Sequence, residues 1–357
     1  MEPFSRVAVT FVVKAVVVRR YGSPDVLELT DIPAPVPADD EVLVRIHSSS
    51  VCFGDWIIRS GPMLVRLLNG FTKPRVRVLG TDLAGTVESV GKRVTRFAPG
   101  DHVFGSRGDK FGAHAEFACV AETGFLAHKP VNMTFEEAGS VFVGGACALH
   151  FLRKAAIKPG ERVLIHGASG SLGVFAVQLA RHFGAHVTGV CGPSNLDLVK
   201  SLGADDVIDY TTRDFADGDA RYDVICDILG KAGFPRGLRV LVPGGRYLLV
   251  GFSGGMPAIT AALLRGAWTR ARGTARFMTG AAAPVPADLV FLKELIEAGA
   301  LRNVIERTYT LSEIAEAHRY AQSGHKVGNV AVIVADPIVL ASKPRSSRQK
   351  LSPGTRR

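Results

Sequence analysis

The sequence predicts an α/β chain in which a doubly wound parallel sheet is joined to a β-rich, barrel-like domain. Three observations predict it. Between residues 136 and 254, short apolar strand candidates alternate with amphipathic stretches, the rhythm of a parallel sheet flanked by helices. Between 14 and 120, β-branched runs are instead punctuated by Gly, Pro and Asp, which reads as a barrel-like fold of short strands. The chain is 357 residues long and 47% hydrophobic, enough for two separate cores.

Taken in order, residues 1–13 read as a disordered leader before a first strand at 15–18. The apolar run at 7–13 is interrupted by Lys14 and lacks a small-residue cleavage site, so it fits neither a signal peptide nor a membrane span. Further strands are expected at 42–46, 85–90, 102–104 and 115–120. Turn sequences such as Tyr21-Gly-Ser-Pro24 and Pro33-Ala-Pro-Val-Pro37 separate them. Gly85, inside a strand pattern, signals a bulge or a close approach of two backbones. From Glu136 onward, strands at 162–165, 186–190, 206–208, 223–226 and 246–250 alternate with helices such as 174–183 and 195–202. Helices at 288–298 and 311–322 and a strand at 330–334 then return the chain to its first domain. The expected division is 14–135 for the β-rich domain, 136–285 for the parallel sheet, 286–337 for the return and 338–357 for a tail.

The net charge of +10 invites a nucleic-acid or membrane reading. Much of it sits at one end, however, where Lys343, Arg345, Arg348, Lys350, Arg356 and Arg357 occur with no acidic residue and no apolar period. That composition describes a solvated, disordered tail, not a specific nucleic-acid site. The cysteines Cys52, Cys119, Cys147, Cys191 and Cys226 are odd in number and scattered, which fits free thiols in a reducing compartment, the cytoplasm.

The strongest local signal follows the strand at 163–165. There Gly167-Ala168-Ser169-Gly170-Ser171-Leu172-Gly173 opens an amphipathic helix. Glycines here permit a tight turn and let the backbone approach a pyrophosphate, whose charge the helix N-terminus favours; Gly173 lets the helix pack close to its strand. A strand before and a helix after are the context that makes this a Rossmann dinucleotide-binding turn. The next strand ends at Cys191-Gly192-Pro193-Ser194-Asn195 with no carboxylate to hold a ribose 2′-hydroxyl. Ser194 and Asn195 are donors suited to a 2′-phosphate, so NADP is the expected cofactor. Lys200, a helical turn later, reads as a surface lysine.

Several further motifs carry a family resemblance covering residues 14–334. They are Val78-Leu-Gly-Thr-Asp-Leu-Ala-Gly-Thr-Val-Glu-Ser-Val-Gly91, Val94-Thr-Arg-Phe-Ala-Pro-Gly-Asp-His-Val-Phe104, Tyr21-Gly-Ser-Pro-Asp-Val-Leu27, Gly203-Ala-Asp-Asp-Val-Ile-Asp-Tyr210 and Ser323-Gly-His-Lys-Val-Gly-Asn-Val-Ala-Val332. Together they resemble the medium-chain dehydrogenase/reductase superfamily, in its zinc-independent quinone oxidoreductase-like branch. The resemblance implies a GroES-like catalytic domain beside the Rossmann domain, and a homodimer. It puts Tyr210 near the adenosine phosphate, Cys147 and Gly251-Phe252-Ser253 beside the nicotinamide, and Gly328-Asn329 across the cofactor cleft. Relatives commonly carry Lys where this chain has Asn329.

Zinc-dependent members of that superfamily hold the metal with Cys, His and a second Cys or an acid, and zinc needs three such ligands converging. Here Cys52 stands at the first position, Thr81 at the second and Val143 at the third, so a zinc-free site is expected. The short segment 105–112 has no cysteines for a structural zinc lobe. Without a Lewis acid, alcohol oxidation loses its main device, whereas reduction of a quinone or an α,β-unsaturated carbonyl needs only donors for the developing oxyanion. Candidate catalytic residues are Cys52, Asp55 and Thr81, with Trp56 and Tyr21 as further wall or donor positions.

The expected activity is therefore NADPH-dependent hydride transfer to a small apolar quinone or enal. The alternatives are an NAD(P)-dependent alcohol or aldehyde dehydrogenase and a non-catalytic, membrane-associated cofactor-binding adaptor. The basic tail and the segment 259–278, with Trp268, Arg265, Arg270, Arg272 and Arg276, bear on the last. A second segment, 60–71, carries Met, Leu and Phe. Each of these two segments reads as a lid, an interface helix or core; domain packing is the expectation for 259–278, with no stable membrane insertion.

Overall fold

A computed structural model describes residues 11–251 and 255–334. The chain opens with an antiparallel pair, β1 (Val12–Val18) and β2 (Leu27–Pro33). The first strand thus begins within the segment expected as leader. Residues 1–10 and the basic tail lie outside the described residues.

Five strands of a seven-stranded sheet follow, β3 (Glu41–Ser50), β4 (Asp82–Val90), β5 (His102–Ser106), β6 (Phe117–Ala121) and β7 (Phe125–His128), and the other two come from the end of the described chain. Alternate residues of β3, Val42, Val44 and Ile46, are fully buried beside Leu83 and Val103. Each such side chain contributes roughly 1.5–3 kcal/mol by leaving water. Gly85 pairs with Ile46 at a bulge, where a side chain would place its first carbon 2.0 Å from the Arg45 carbonyl oxygen. Between β3 and β4 run two short helices, α1 (Phe53–Ser60) and α2 (Met63–Asn69).

Helices α3 (Phe135–Ala138) and α4 (Phe142–Ala155) lead into a second, six-stranded sheet. Its strands and the helices between them run β8 (Arg162–His166), α5 (Ser171–His182), β9 (His186–Cys191), α6 (Leu196–Ser201), β10 (Asp206–Asp209), β11 (Tyr222–Asp227), α7 (Phe234–Val240) and β12 (Leu241–Leu249). Then come α8 (Gly255–Ala271) and β13 (Ala275–Met278). All pairings are parallel and the spatial order is β10-β9-β8-β11-β12-β13. That is the doubly wound order of two mononucleotide-binding halves, with its reversal between β8 and β11. The segment 259–278, expected to serve domain packing, divides between a helix and a strand. Gly273, at φ +68°, turns the chain after α8 so that β13 extends the sheet beside β12.

The chain then returns through α9 (Pro286–Glu297), β14 (Ile305–Thr310), α10 (Ile314–Gln322) and β15 (Asn329–Ile333). β15 pairs antiparallel with β3, so the first sheet is completed from both ends of the chain. Strands β2, β7 and β14 were not expected from the sequence; β2 and β14 are largely exposed, and the residues of β14 are mostly polar. Among the described residues no helix is long and apolar enough to cross a membrane.

Candidate functional site

Gly167, at φ +90°, turns the chain at the end of β8, and the loop to Gly170 delivers Ser171 as the first residue of α5. At Gly173 a side chain would put its first carbon 2.1 Å from the Gly167 carbonyl oxygen, so α5 rests directly on the turn. At Gly170 the same atom would meet nothing nearer than 3.6 Å, so the space above the loop is open. Gly144 brings α4 against this first turn, since a side chain there would lie 2.7 Å from the Ser171 carbonyl oxygen. Ala168 is fully buried and its N–H bonds to the Val190 carbonyl at 3.0 Å; Leu172 packs on the main core.

A strand from the other sheet closes over the loop. The N–H of Gly328 donates to the Ser169 carbonyl at 2.7 Å, and the Ser171 hydroxyl donates to the Gly328 carbonyl at 2.8 Å. Asn329 faces elsewhere: it is buried and its amide donates to Asn303 at 2.7 Å. Lys326, not singled out in the sequence, hydrogen-bonds to the Ser171 hydroxyl and, at 2.9 Å, to the Gly328 carbonyl.

Beyond the glycine turn, the β9 end carries Cys191, buried, whose thiol burial pushes up to about 11. Ser194 is exposed, and the Asn195 amide reaches the Ser169 hydroxyl at 3.4 Å. Tyr210 is 60% exposed and its ring covers Gly192. Beside it lies a cavity of about 250 Å³ lined by His166, Tyr210, Arg213, Phe215 and Arg236 among others. Behind the lining residue His166 stands Asp227, which accepts from the Tyr247 hydroxyl at 2.8 Å and lies 3.5 Å from His166 Nδ1. Burial works to raise the Asp227 carboxyl, but His166, Tyr247 and backbone N–H groups together hold it below the ordinary range. Arg236 is paired with Asp214, whereas Arg213 is exposed at the cavity.

The second cluster forms where β3, β4, α1 and α4 meet. Cys52 begins α1, and its N–H donates to Asp55 Oδ2 at 2.8 Å, while Gly80 N–H donates to Asp55 Oδ1 at 2.7 Å. Both oxygens of the fully buried Asp55 therefore clamp one turn to the other. Thr81 Oγ1 lies 3.6 Å from Cys52 Sγ and 3.5 Å from Asp82 Oδ1.

Asp82, also passed over in the sequence, is 1% exposed and accepts the Val143 N–H at 3.2 Å. Burial, reinforced by Asp55 and opposed by the Val143 N–H, lifts its carboxyl to about 8. Cys147, one turn along α4 from Val143, is pushed to about 12 by burial and by Asp82. Burial and the neighbouring Asp55 and Asp82 likewise raise the Cys52 thiol far above its ordinary value. These thiols are protonated at neutral pH, hence hydrogen-bond donors and not nucleophiles.

Tyr21 does not join the cluster; its hydroxyl donates to the Gly70 carbonyl at 2.6 Å. Trp56 packs on Phe53. Gly251 closely approaches the Ile228 carbonyl, while Phe252 and Ser253 lie outside the described residues. In α2 and just after it, Met63, Leu64, Leu67, Leu68 and Phe71 are exposed, so that segment is not core. In α8, Leu263, Leu264 and Trp268 are exposed while Gly266 packs on Phe277 of β13. Among the described residues no three His, Cys, Asp or Glu side chains are grouped to hold a metal ion.

Residues 38–130 match the family described as alcohol dehydrogenase GroES-like domain, and residues 202–332 the family described as zinc-binding dehydrogenase. The chain is 33% identical over 321 residues to a quinone oxidoreductase of Sus scrofa, covering 85% of this chain and 92% of that protein. It is 30% identical over 333 residues to a 2-methylene-furan-3-one reductase of Solanum lycopersicum, covering 87% and 76%. The solved quinone oxidoreductase of Coxiella burnetii superposes with a TM-score of 0.79 at 28% identity, over 91% of this chain and 100% of that one. The fold and the paired glycine-loop and donor clusters define an oxidoreductase built from a GroES-like and a Rossmann domain. The chain belongs to the medium-chain dehydrogenase/reductase superfamily, in its quinone oxidoreductase-like branch.

Proposed function

We propose that this protein is an NADPH-dependent reductase of quinones or α,β-unsaturated carbonyls that works without a metal. One observation carries the reading: the residues gathered at the β4–α4 junction, Cys52, Thr81, Asp82 and Cys147, supply protonated donors, with Val143 beside them. A valine offers no ligand atom, and the Asp82 carboxyl is already engaged by the Val143 N–H.

The cofactor fits the other cluster. The open space over Gly170, the unpaired N–H groups of α5 and the strap at Gly328 suit a diphosphate, and the cavity at Tyr210 suits the adenosine end. Arg213, with Ser194 and Asn195, supports a 2′-phosphate and hence NADPH. Bound there, the reduced nicotinamide supplies a hydride. The chain's own residues orient the acceptor, exclude water and feed a proton. Hydride addition at an acceptor carbon would form a C–H bond and push the acceptor's conjugated π pair onto its oxygen, where Thr81 and Cys52 donate hydrogen bonds. Asp82, neutral below about pH 8, passes its proton through the Thr81 hydroxyl and recovers one from solvent. The net change is one hydride and one proton added to the acceptor.

The unpaired cysteines support a reducing compartment, the cytoplasm. The test is oxidation of NADPH and NADH, followed at their absorbance, against quinones, enals and saturated ketones. Turnover of the first two classes with NADPH is expected. Tight NADPH binding without turnover of any acceptor sinks the reductase reading, and full activity only after zinc addition sinks the metal-free one.

A further inference from the structure

We propose that Lys326 is the cation of the cofactor cleft, and that its ammonium leaves Ser171 and Gly328 to pair with the diphosphate when the dinucleotide binds. The inference rests on the cofactor reading above and concerns how this chain supplies charge to that site.

Three features of the geometry point to it. First, the ammonium sits on the Ser171 hydroxyl, at the first residue of α5. A helix N-terminus carries about half a positive charge, so a cation there has the wrong sign and an anion would relieve it. Second, the Gly328 carbonyl already accepts from the Ser171 hydroxyl at 2.8 Å and shares itself with Lys326 at 2.9 Å, so neither contact satisfies the ammonium alone. Third, the neighbouring Asn329 has its amide engaged with Asn303 and offers the loop no donor.

The charged groups around Lys326 do not neutralise it in place. Glu306, on β14, favours the ammonium, yet its Oε2 is held by the Val327 N–H at 2.6 Å. Cys52, at the start of α1, lies within electrostatic reach, but its thiol is protonated at neutral pH. From α5 the ammonium meets only the uncharged Ser171 hydroxyl and the positive helix end. Burial outweighs these partners and lowers Lys326 to about 8. A diphosphate alongside raises it again, so binding above pH 8 takes up a proton. Below pH 7 the ammonium is already formed and no uptake occurs.

The proposal is tested by calorimetry of NADPH binding to the full chain at pH 6.5 and pH 9, in buffers of different ionisation enthalpy. At pH 9 proton uptake approaching one per cofactor is expected, and near zero at pH 6.5. K326M, close in shape, weakens NADPH about tenfold to a hundredfold at pH 7 and abolishes the uptake. K326R, permanently charged, retains affinity at pH 9 without uptake. Unchanged affinity in K326M, or uptake at pH 9 that survives in it, overturns the proposal while leaving the cofactor reading intact. Failure of the wild-type chain to bind either NADPH or NADH overturns the cofactor reading itself.

Discussion

The carboxyl of Asp82 accepts a hydrogen bond from the backbone N–H of Val143 at 3.2 Å, so a strand of one sheet caps the helix that leads into the other. A carboxyl normally ionises in such a position because the helix end favours negative charge. Here burial and Asp55 outweigh the cap, and the group stays protonated up to about pH 8.

Replacing Asp82 therefore separates two effects. In D82N the neutral cap survives but the proton source is lost, and turnover should fall about tenfold to a hundredfold. The wild-type rate should decline above pH 8 and the D82N rate should be flat there. Stability has its own sign: the folded chain holds this proton to about pH 8, whereas the unfolded chain releases it near 3.8. Stability then declines as pH rises through that window. Thermal melts at pH 5 and pH 8 should show a smaller drop for D82N than for wild type; equal drops refute the assignment.

Asp55 should behave differently, because both its oxygens receive buried N–H groups. D55N turns one of those contacts into donor against donor, at a cost of about 1–3 kcal/mol. We expect a melting point lowered by several degrees, with the alkaline limb of the pH–rate profile kept but moved to lower pH, because Asp82 loses the neighbouring charge that helps to raise it. A lost pH limb at unchanged stability would instead return Asp55 to the proton path.

Two glycines of the turn, Gly170 and Gly173, separate folding from binding. G173A forces a carbon to within 2.1 Å of the Gly167 carbonyl oxygen and should destabilise the chain by about 1–3 kcal/mol. G170V projects into open space, so its melting point should hold while NADPH quenching of intrinsic fluorescence disappears. Unaltered NADPH affinity in G170V would displace the diphosphate from this loop.

Arg213 bears on cofactor choice. R213A should weaken NADPH about tenfold and leave NADH unchanged, measured as Kd by fluorescence titration. An equal loss for both would place Arg213 at the shared diphosphate or ribose and not at a 2′-phosphate.

What was legible in the sequence follows physical locality. The turn at Gly167–Gly173 was readable because neighbouring residues alone impose its geometry, and the alternating strands and helices carried the parallel sheet with them. Strands β2 and β14 were not, because exposed strands bury too little to leave an apolar alternation. β13 was not separated from the segment 259–278 because its four residues continue the apolar and basic composition of α8. In the site, Cys52 and Thr81 were found by position in a motif. Asp82 and Lys326 were missed because their unusual protonation arises from burial by elements distant in the chain, which outweighs the opposing Val143 N–H for one and the opposing Glu306 for the other.

The pairing of β15 with β3 has a consequence for biosynthesis. The strap at Gly328 and the last strands of the first sheet are translated after every other element described, so the nascent chain meets its nicotinamide nucleotide with the clamp still missing. The six-stranded sheet, contiguous in the chain, is free to form on the ribosome, where domains fold as units. The barrel-like sheet must wait for its C-terminal strands. Newly made protein should thus acquire a compact nucleotide-binding half first and gain tight cofactor retention only once β15 has emerged.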